Sequence, residues 1–279
     1  MSQLDTLVPD IKKLLQDLTE GKQLVIPPEE LDRTMANLRE SLVHWGTPQD
    51  RSGFRLRMSN LGKPLRQLWY EAHSETPRSP PAAWTQLKFL YGHMLEQIVL
   101  MFVRLAGHNV EQEQLEVDVD GIKGHLDSVI DGEVVDVKTA SQFAFRKFTN
   151  GTLVDDDPFG YLAQLSGYEE ALGSEKGGFL VINKESGEIC LDRPDDLDKV
   201  NVPERINLIR EALKLDTPPE RCYPTEPHGT KGNMKIAKGC NWCPFKQTCY
   251  SDANDGEGLR TFKYSKQYIH LTEVVETPR

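Results

Sequence analysis

Residues 115–138 read LEVDVDGIKGHLDSVIDGEVVDVK, and this stretch decides the fold. Branched and apolar residues alternate with polar ones in short runs, which is typical of half-buried β-strands. These runs are residues 115–119, 122–130 and 133–138. Asp131 and Gly132, between the last two runs, form a dipeptide that favours a tight hairpin turn. The stretch therefore predicts a β-meander.

Helical and strand patterns on both sides of the meander predict a mixed α/β unit. The predicted elements are helices within residues 1–45 and at 83–105, 158–172 and 202–215, a loop at 75–81 and a strand at 178–182. The remaining C-terminal part is rich in Pro, Gly and Cys, and we expect it to be irregular and to need a bound metal to hold it together. The predicted domains are an N-terminal helical region (1–50), a core (51–215) and a C-terminal cysteine subdomain with a tail (216–279).

The composition is that of a folded protein, with 38% hydrophobic and 27% charged residues among 279. No apolar run approaches the ~20 residues of a membrane span, so we expect a soluble, cytoplasmic protein. With a net charge of −10, a general attraction to nucleic acid cannot be assumed from composition, and any DNA site must be locally basic. One acid-free segment qualifies, and its basic residues are Arg51, Arg55, Arg57, Lys63 and Arg66. The last four are the candidate DNA contacts. The alternative for this segment is a solvated helix edge.

Charged residues of the meander predict a reactive centre. Asp136 and Lys138 share one face of a strand, and the hairpin brings Asp127 across to its neighbour. Two buried carboxylates repel each other unless a cation joins them, and oxygen ligands suit Mg²⁺ or Mn²⁺. The alternative is an acidic hairpin whose side chains face solvent.

Two helices add polar pairs at helical spacing. His93 and Glu96 are three residues apart in an otherwise apolar run, and Gln164 and Tyr168 are four apart. Each pair on its own is also compatible with a polar group that is hydrogen-bonded inside a core. Because the two pairs lie on either side of the charged meander in the sequence, a role in the same site is favoured.

In order along the chain, the motifs are Gly-x-x-x-Glu (92–96), Gly-x-x-Asp (124–127), Asp-x-Lys (136–138) and Gln-x-x-x-Tyr (164–168). This order resembles the PD-(D/E)xK nucleases, and specifically the RecB-like branch that includes CRISPR-adaptation nucleases and many phage exonucleases. The resemblance spans about residues 50–250. It implies a restriction-endonuclease-like α/β fold, in which helices flank a mixed central sheet.

The resemblance also implies roles for the motif residues. Those that would hold Mg²⁺ or Mn²⁺ are Asp127, Asp136, the carbonyl group of Val137, and either Glu96 or His93, with Glu96 ranked slightly first. Lys138 would steer the attacking water or neutralise charge on the phosphate. Gln164 and Tyr168 would position the motif residues and the DNA strand.

Five cysteines, three of them within residues 240–249, favour metal ligation in a reducing compartment over disulfides. Cys240, Cys243 and Cys249 have the spacing with which iron–sulfur RecB-like nucleases end. The fourth cysteine of those nucleases lies upstream in a segment that resembles residues 59–66, but Pro64 occupies its position here.

The fourth ligand must therefore come from elsewhere in the chain. Cys222 is the best candidate, followed by His228 and Cys190. Four thiolates suit both Zn²⁺ and a [4Fe–4S] cluster, and the resemblance favours the iron–sulfur cluster.

The sequence therefore predicts a metal-dependent deoxyribonuclease, acting as an exonuclease or single-strand nuclease in recombination, repair or phage DNA processing. No phosphate-binding loop motif occurs, so DNA unwinding would require a partner protein of recombination or replication. Ring-forming members of the superfamily make an oligomer possible, but the sequence does not demand one. The alternatives are a catalytically silent nucleic-acid-binding protein and a zinc-stabilised interaction module.

Overall fold

The computed structural model describes residues 3–48, 53–74, 82–264 and 267–277. Its α-helices are α1 (Leu7–Thr19), α2 (Pro28–Gly46), α3 (Leu65–His73), α4 (Ala83–Leu105), α5 (Gln142–Thr149), α6 (Tyr161–Leu172), α7 (Val202–Leu213) and α8 (Lys246–Cys249). Its strands are β1 (Val110–Glu111), β2 (Leu115–Val119), β3 (Ile122–Leu126), β4 (Ser128–Ile130), β5 (Glu133–Ala140), β6 (Gly177–Asn183), β7 (Ile189–Asp192), β8 (Glu226–His228), β9 (Asn233–Lys235), β10 (Arg260–Lys263) and β11 (Tyr268–Glu273). The chain divides into two compact units, Met1–Gly62 with Pro81–Ile206 and Lys63–Pro80 with Asn207–Arg279.

The first unit is built on a five-stranded sheet in the order β1-β4-β5-β6-β7. Only the β5–β6 pairing in this sheet is parallel. Apolar residues of α1 and α4 pack on one face against Val135, Val137 and Leu180. The other face carries α5 and α6, where Phe148 contacts Phe179. The predicted mixed central sheet flanked by helices is therefore confirmed.

The predicted hairpin turn is confirmed, because β4 and β5 pair in antiparallel fashion and Asp131 and Gly132 both have positive φ angles, 50° and 82°. The single strand predicted at 122–130 is wrong. The chain forms β3, leaves the strand conformation at Asp127 and resumes as β4 in a different sheet. The two segments have different partners: β3 pairs with β2 and forms a bridge from Lys123 to Arg57, whereas β4 joins the central sheet.

Most other predicted elements of this unit are present within a few residues, and the predicted loop at 75–81 lies outside the described residues. Helix α6 begins three residues later than expected, because the Asp157 side chain accepts hydrogen bonds from the N–H groups of Gly160 and Leu162, both at 2.9 Å. Strands β1 and β7 and helix α5 were not predicted, since each is too short to show a clear period.

The C-terminal part is not irregular, and that expectation is wrong. It contains a four-stranded antiparallel sheet in the order β10-β11-β9-β8. Side-chain amides tie it together: Asn233 Oδ1 accepts from the N–H of Val275 at 2.8 Å, and Asn254 Nδ2 donates to the carbonyl of Leu271 at 3.1 Å. Across the described parts of both units, no helix is both long and apolar enough to cross a bilayer.

Gly124 on β3 is packed so closely against its neighbours that no larger residue fits at this position. A Cβ atom there would lie 2.5 Å from Cγ of Met58 and 2.9 Å from Cε1 of Tyr168. We expect Gly124→Ala to lower the free energy of unfolding, measured by urea denaturation, by about 1–3 kcal/mol through overpacking. Gly46→Ala is the matched control, because a Cβ atom at Gly46 has no atom within 4 Å. Equal stabilities of the two variants would contradict the close packing at Gly124.

Candidate active site

The candidate site forms where the pairing between β4 and β5 ends. The last pair in this direction is Ser128 with Val135. Two residues further along β5, the N–H of Val137 donates to Oδ2 of Asp127 at 2.8 Å. A side chain thus takes a hydrogen bond that a neighbouring strand would otherwise accept, and the bond holds the Asp127 carboxylate beside β5.

Strand alternation puts Asp136 and Lys138 on the face opposite Val135 and Val137, as predicted. Asp136 is 1% exposed, and its Oδ2 is in ion-pair contact with Nζ of Lys138. Among the described residues, neither oxygen of Asp136 has a partner in a well-directed hydrogen bond, so the contact with Lys138 is electrostatic. A buried carboxylate without hydrogen bonds is costly, which makes Asp136 a strong acceptor for a cation.

Glu96 reaches this group from α4. Its Oε1 accepts hydrogen bonds from Nε2 of Gln114 at 2.8 Å and Nε2 of Gln97 at 3.1 Å. Burial raises the pKa of Glu96 to about 7, and the Asp136 carboxylate contributes to the increase. His93 is exposed overall, and partial loss of water around its ring lowers its pKa, together with the charge of the neighbouring His44. Of the two candidates, the structure brings Glu96 to the carboxylates.

The three carboxylates and Lys138 act on one another electrostatically. Burial raises the pKa of Asp127 well above its usual range, and the carboxylates of Asp136 and Glu96 raise it further. Burial alone would lower the pKa of Lys138, but Asp136 and Asp127 raise it overall. The amine therefore stays protonated and provides a fixed positive charge.

Helix α6 supplies the residues that orient Lys138. Nζ of Lys138 donates to Oε1 of Gln164 at 3.4 Å, and Nε2 of Gln164 donates to the hydroxyl of Tyr168 at 2.8 Å. The Tyr168 hydroxyl donates to the carbonyl of His125 at 2.7 Å, and burial raises its pKa. The predicted pair thus forms one hydrogen-bonded chain from Lys138 to β3.

The sequence interpretation missed Tyr161 and Gln114. The ring of Tyr161 lies under Lys138, with Nζ 4.9 Å from the ring centroid. Tyr161 precedes Gln164 by three residues and Tyr168 by seven, so the same helical face extended back by one turn would have identified it. Gln114 lies in a loop at a φ of 53°, and no periodicity could indicate it.

The donor chemistry of the site suits a divalent cation such as Mg²⁺ or Mn²⁺. Within the described residues, neither oxygen of Asp136 has a well-directed hydrogen bond, and the carboxylates of Asp127 and Glu96 add further oxygen donors. In the described part of the chain, however, no three His, Cys, Asp or Glu side chains converge closely enough to hold a metal ion.

In the second unit, four of the five cysteines line one pocket. They are Cys222, Cys240, Cys243 and Cys249. Pro64, at the position where the resemblance expects a cysteine, lines the same pocket. The other candidates for the fourth ligand lie elsewhere, since His228 contacts the hydroxyl of Tyr264 at 3.3 Å and Cys190 belongs to β7 of the first unit.

The cysteine pocket also contains cationic and phenolic groups. Nε of Arg66 donates to Sγ of Cys249 at 3.1 Å, and the hydroxyl of Tyr250 is 3.9 Å from Sγ of Cys240. Burial raises the pKa of Cys240 to about 11, so this thiol is protonated near neutral pH unless a metal displaces the proton.

The predicted DNA-binding residues differ in their surroundings. Arg55 and Arg57 are exposed in the first unit. Lys63, in the second unit, pairs with Glu71 at 3.0 Å. Arg66 points into the cysteine pocket, where it also donates to the carbonyl of Pro219. Only the two exposed arginines have the surroundings expected of phosphate-binding residues.

No family model matches this chain, and no curated protein matches it. Among solved structures, the alkaline exonuclease LHK-Exo from Laribacter hongkongensis is 14% identical with a TM-score of 0.41, over 57% of this chain and 88% of that chain. A phage-related exonuclease from Haemophilus somnus 129PT is 13% identical with a TM-score of 0.40, over 57% and 93%. The protein SSO0001 is 17% identical with a TM-score of 0.37, over 76% and 93%. At these TM-scores the likenesses carry no functional argument.

The pKa of Glu96 predicts how stability depends on pH when EDTA removes divalent cations. The ordinary pKa is 4.5 and the folded value is about 7, so between these values the folded protein holds a proton that the unfolded chain has released. Stability therefore falls as pH rises from about 5 to 7. We expect Glu96→Gln to match wild type at pH 5 and to exceed it at pH 8 by on the order of 1–3 kcal/mol, measured by urea denaturation.

Glu170→Gln is the control, because Glu170 is exposed on α6. It removes a carboxylate outside the site and should give the same difference from wild type at both pH values. A pH-independent difference for Glu96→Gln would contradict the buried position of this carboxyl group.

Proposed function

We propose that this protein is a metal-dependent deoxyribonuclease. The observation that carries the proposal is that three carboxylates and one protonated amine lie near enough to shift one another's pKa values where β4 and β5 separate. Burial and mutual repulsion raise the pKa values of Asp127 and Glu96 beside Asp136, and Asp136 forms an ion pair with Lys138. A purely structural ion pair would need one carboxylate, whereas several carboxylates beside an amine can bind a catalytic divalent cation and neutralise a phosphate.

The metal ligands in this proposal are Asp127, Asp136, Glu96 and the carbonyl group of Val137. Since no three of the described acidic or imidazole side chains now converge on one point, cation binding requires these carboxylates to move closer together. When bound, Mg²⁺ or Mn²⁺ supplies Lewis-acid stabilisation of the scissile phosphate and lowers the pKa of the attacking water.

The chain's own residues then hold and neutralise the phosphate. Lys138 presents a fixed positive charge where negative charge grows on the phosphate oxygens as the water oxygen attacks phosphorus and a P–O bond breaks. Gln164 and Tyr168 keep the ammonium group in place through their hydrogen bonds. Arg55 and Arg57, both exposed, are the proposed contacts to the DNA backbone.

Cleavage of labelled single- and double-stranded DNA with Mn²⁺ tests the proposal. We expect wild type to cleave, and Asp136→Asn and Lys138→Ala to lose at least about a hundredfold in rate, because each removes charge that acts on the reacting phosphate. Lys176→Ala is the matched control, since Lys176 is exposed and precedes β6, at the opposite end of the β5–β6 pair from Lys138.

Two results would reject hydrolysis. Retention of DNA without cleavage would indicate a catalytically silent binding protein, and neither binding nor cleavage would indicate an interaction module. Cleavage by wild type that survives both substitutions would place the active centre elsewhere. Thermal unfolding of each variant shows that it is folded.

The cysteine pocket is the second metal centre that we propose, with Cys222 as the fourth ligand. A single Zn²⁺ needs its ligand sulfurs within about 2.3 Å of one point. No three described cysteines are so placed. A [4Fe–4S] cluster instead binds each cysteine to a different iron, so it accommodates more widely spaced thiolates around a pocket. The resemblance in cysteine spacing favours the cluster, with Zn²⁺ as the alternative.

Metal analysis of anaerobically purified protein tests this second centre. We expect iron with absorbance at about 400 nm, and loss of most of the metal in Cys222→Ser. Cys190→Ser is the matched control, because Cys190 lies on β7, outside the pocket. Zinc in place of iron would select the alternative, and equal metal loss in both variants would exclude Cys222 as a specific ligand.

A further inference from the structure

Aromatic rings form a series that runs from the core of the first unit to its surface beside Lys138. Phe179 and Phe148 are 0% and 4% exposed, and their ring centroids are 5.6 Å apart. Tyr161 follows, 6.1 Å from Phe148. The outermost ring is Phe159, which stacks on Tyr161 at 5.5 Å and 27° and is 60% exposed. The series therefore ends in an exposed flat ring, one ring away from the lysine of the candidate site.

The segment that carries Phe159 is held in place on both sides. Asp157 accepts hydrogen bonds from the N–H groups of Gly160 and Leu162. Gly160 has a φ of 74°, and its backbone lies so close to Gly62 that a Cβ atom on either glycine would come within 2.5 Å of the other residue's Cα. These contacts hold the backbone on both sides of Phe159, so the point from which its exposed ring projects is defined.

The preceding residues are also anchored. Nζ of Lys147 donates to the carbonyl of Asp156 at 2.6 Å and pairs with its Oδ2 at 2.9 Å. Asp156 is next to Asp157 in the chain, so one lysine of α5 fixes the start of the segment while α6 fixes its end. Because this segment is already ordered before a ligand binds, less conformational entropy is lost when a planar group stacks on Phe159.

Exposed aromatic rings next to a phosphate site are suited to nucleobases. Every base has a π-face, and base–aromatic stacking contributes about 1–3 kcal/mol per base. Bases inside a duplex are already stacked on both sides, whereas an unpaired base has a face available. Tyr161 contacts Lys138 by its ring and Phe159 by stacking, so a base on Phe159 would belong to a nucleotide close to the reacting phosphate.

We propose that Phe159, supported by Tyr161, is a stacking platform for one unpaired base of a single DNA strand, next to the phosphate that is cleaved. This inference rests on the proposed nuclease function and specifies its substrate as single-stranded. It assigns Phe159 a role in positioning the strand and none in the chemical step.

The cleavage test uses single-stranded oligonucleotides in which one abasic nucleotide is moved along the strand. In wild type, we expect an abasic site at one position near the cleaved bond to lower kcat/KM by roughly five- to a hundredfold. Phe159→Ala should cleave the intact strand as slowly as wild type cleaves the abasic one, with no further loss from the abasic site. Phe159→Trp should restore the difference, because it restores a flat ring.

Tyr268→Ala is the control, because Tyr268 is an aromatic residue of nearly equal exposure, 59%, on β11 of the other unit. It should retain the wild-type response to the abasic site. An abasic effect that is equally large in Phe159→Ala would overturn the platform. The platform would also be overturned if Phe159→Ala lowered kcat/KM for blunt duplex DNA and left kcat/KM for single strands unchanged.

A binding test in EDTA separates this inference from the proposed hydrolysis. A single strand with 2-aminopurine at the sensitive position should lose fluorescence when it binds wild type and Phe159→Trp, but not Phe159→Ala. Quenching that requires Phe159 without any cleavage in Mn²⁺ would support the platform and reject the nuclease. Cleavage in Mn²⁺, combined with quenching that is the same in wild type and Phe159→Ala, would support the nuclease and reject the platform.

Discussion

The site depends on one hydrogen bond, from the N–H of Val137 to the carboxylate of Asp127. It replaces a strand–strand bond at the point where β4 has ended, and so it brings a charged side chain against a strand that carries two more charges. The bond directly opposes the repulsion between Asp127 and Asp136, because an N–H group favours the ionised carboxylate. Without it, the least costly arrangement would turn Asp127 out to solvent and separate the acids.

The rest of the first unit stabilises this unfavourable cluster. Apolar side chains of α1 and α4 cover the opposite face of β5, and α6 provides a hydrogen-bonded chain on the near face. Packing therefore fixes the positions of groups that would not assemble by their own attraction. This is the usual relation between stability and function in active sites, where burial raises the energy of charged groups that a ligand later stabilises.

Much of this arrangement follows from the sequence, for physical reasons that differ from residue to residue. The period of two in β5 placed Asp136 and Lys138 on one face, and helical spacing paired Gln164 with Tyr168. Asp127 was assigned to a continuous strand, because nothing in residues 122–130 shows that the chain changes sheets there. The C-terminal sheet escaped prediction because amide side chains such as Asn233 join segments that are far apart in sequence. Local patterns reveal faces, but they do not reveal which distant segments pair.

The contact between Gly62 and Gly160 limits how this protein can diversify. Their backbones touch, so a methyl group on either residue displaces the other segment, and no change in a nearby side chain creates space. The two positions must remain glycine together. Under the proposed stacking role, variation in base preference can therefore enter through the exposed ring at position 159, while the backbone beside it stays constant.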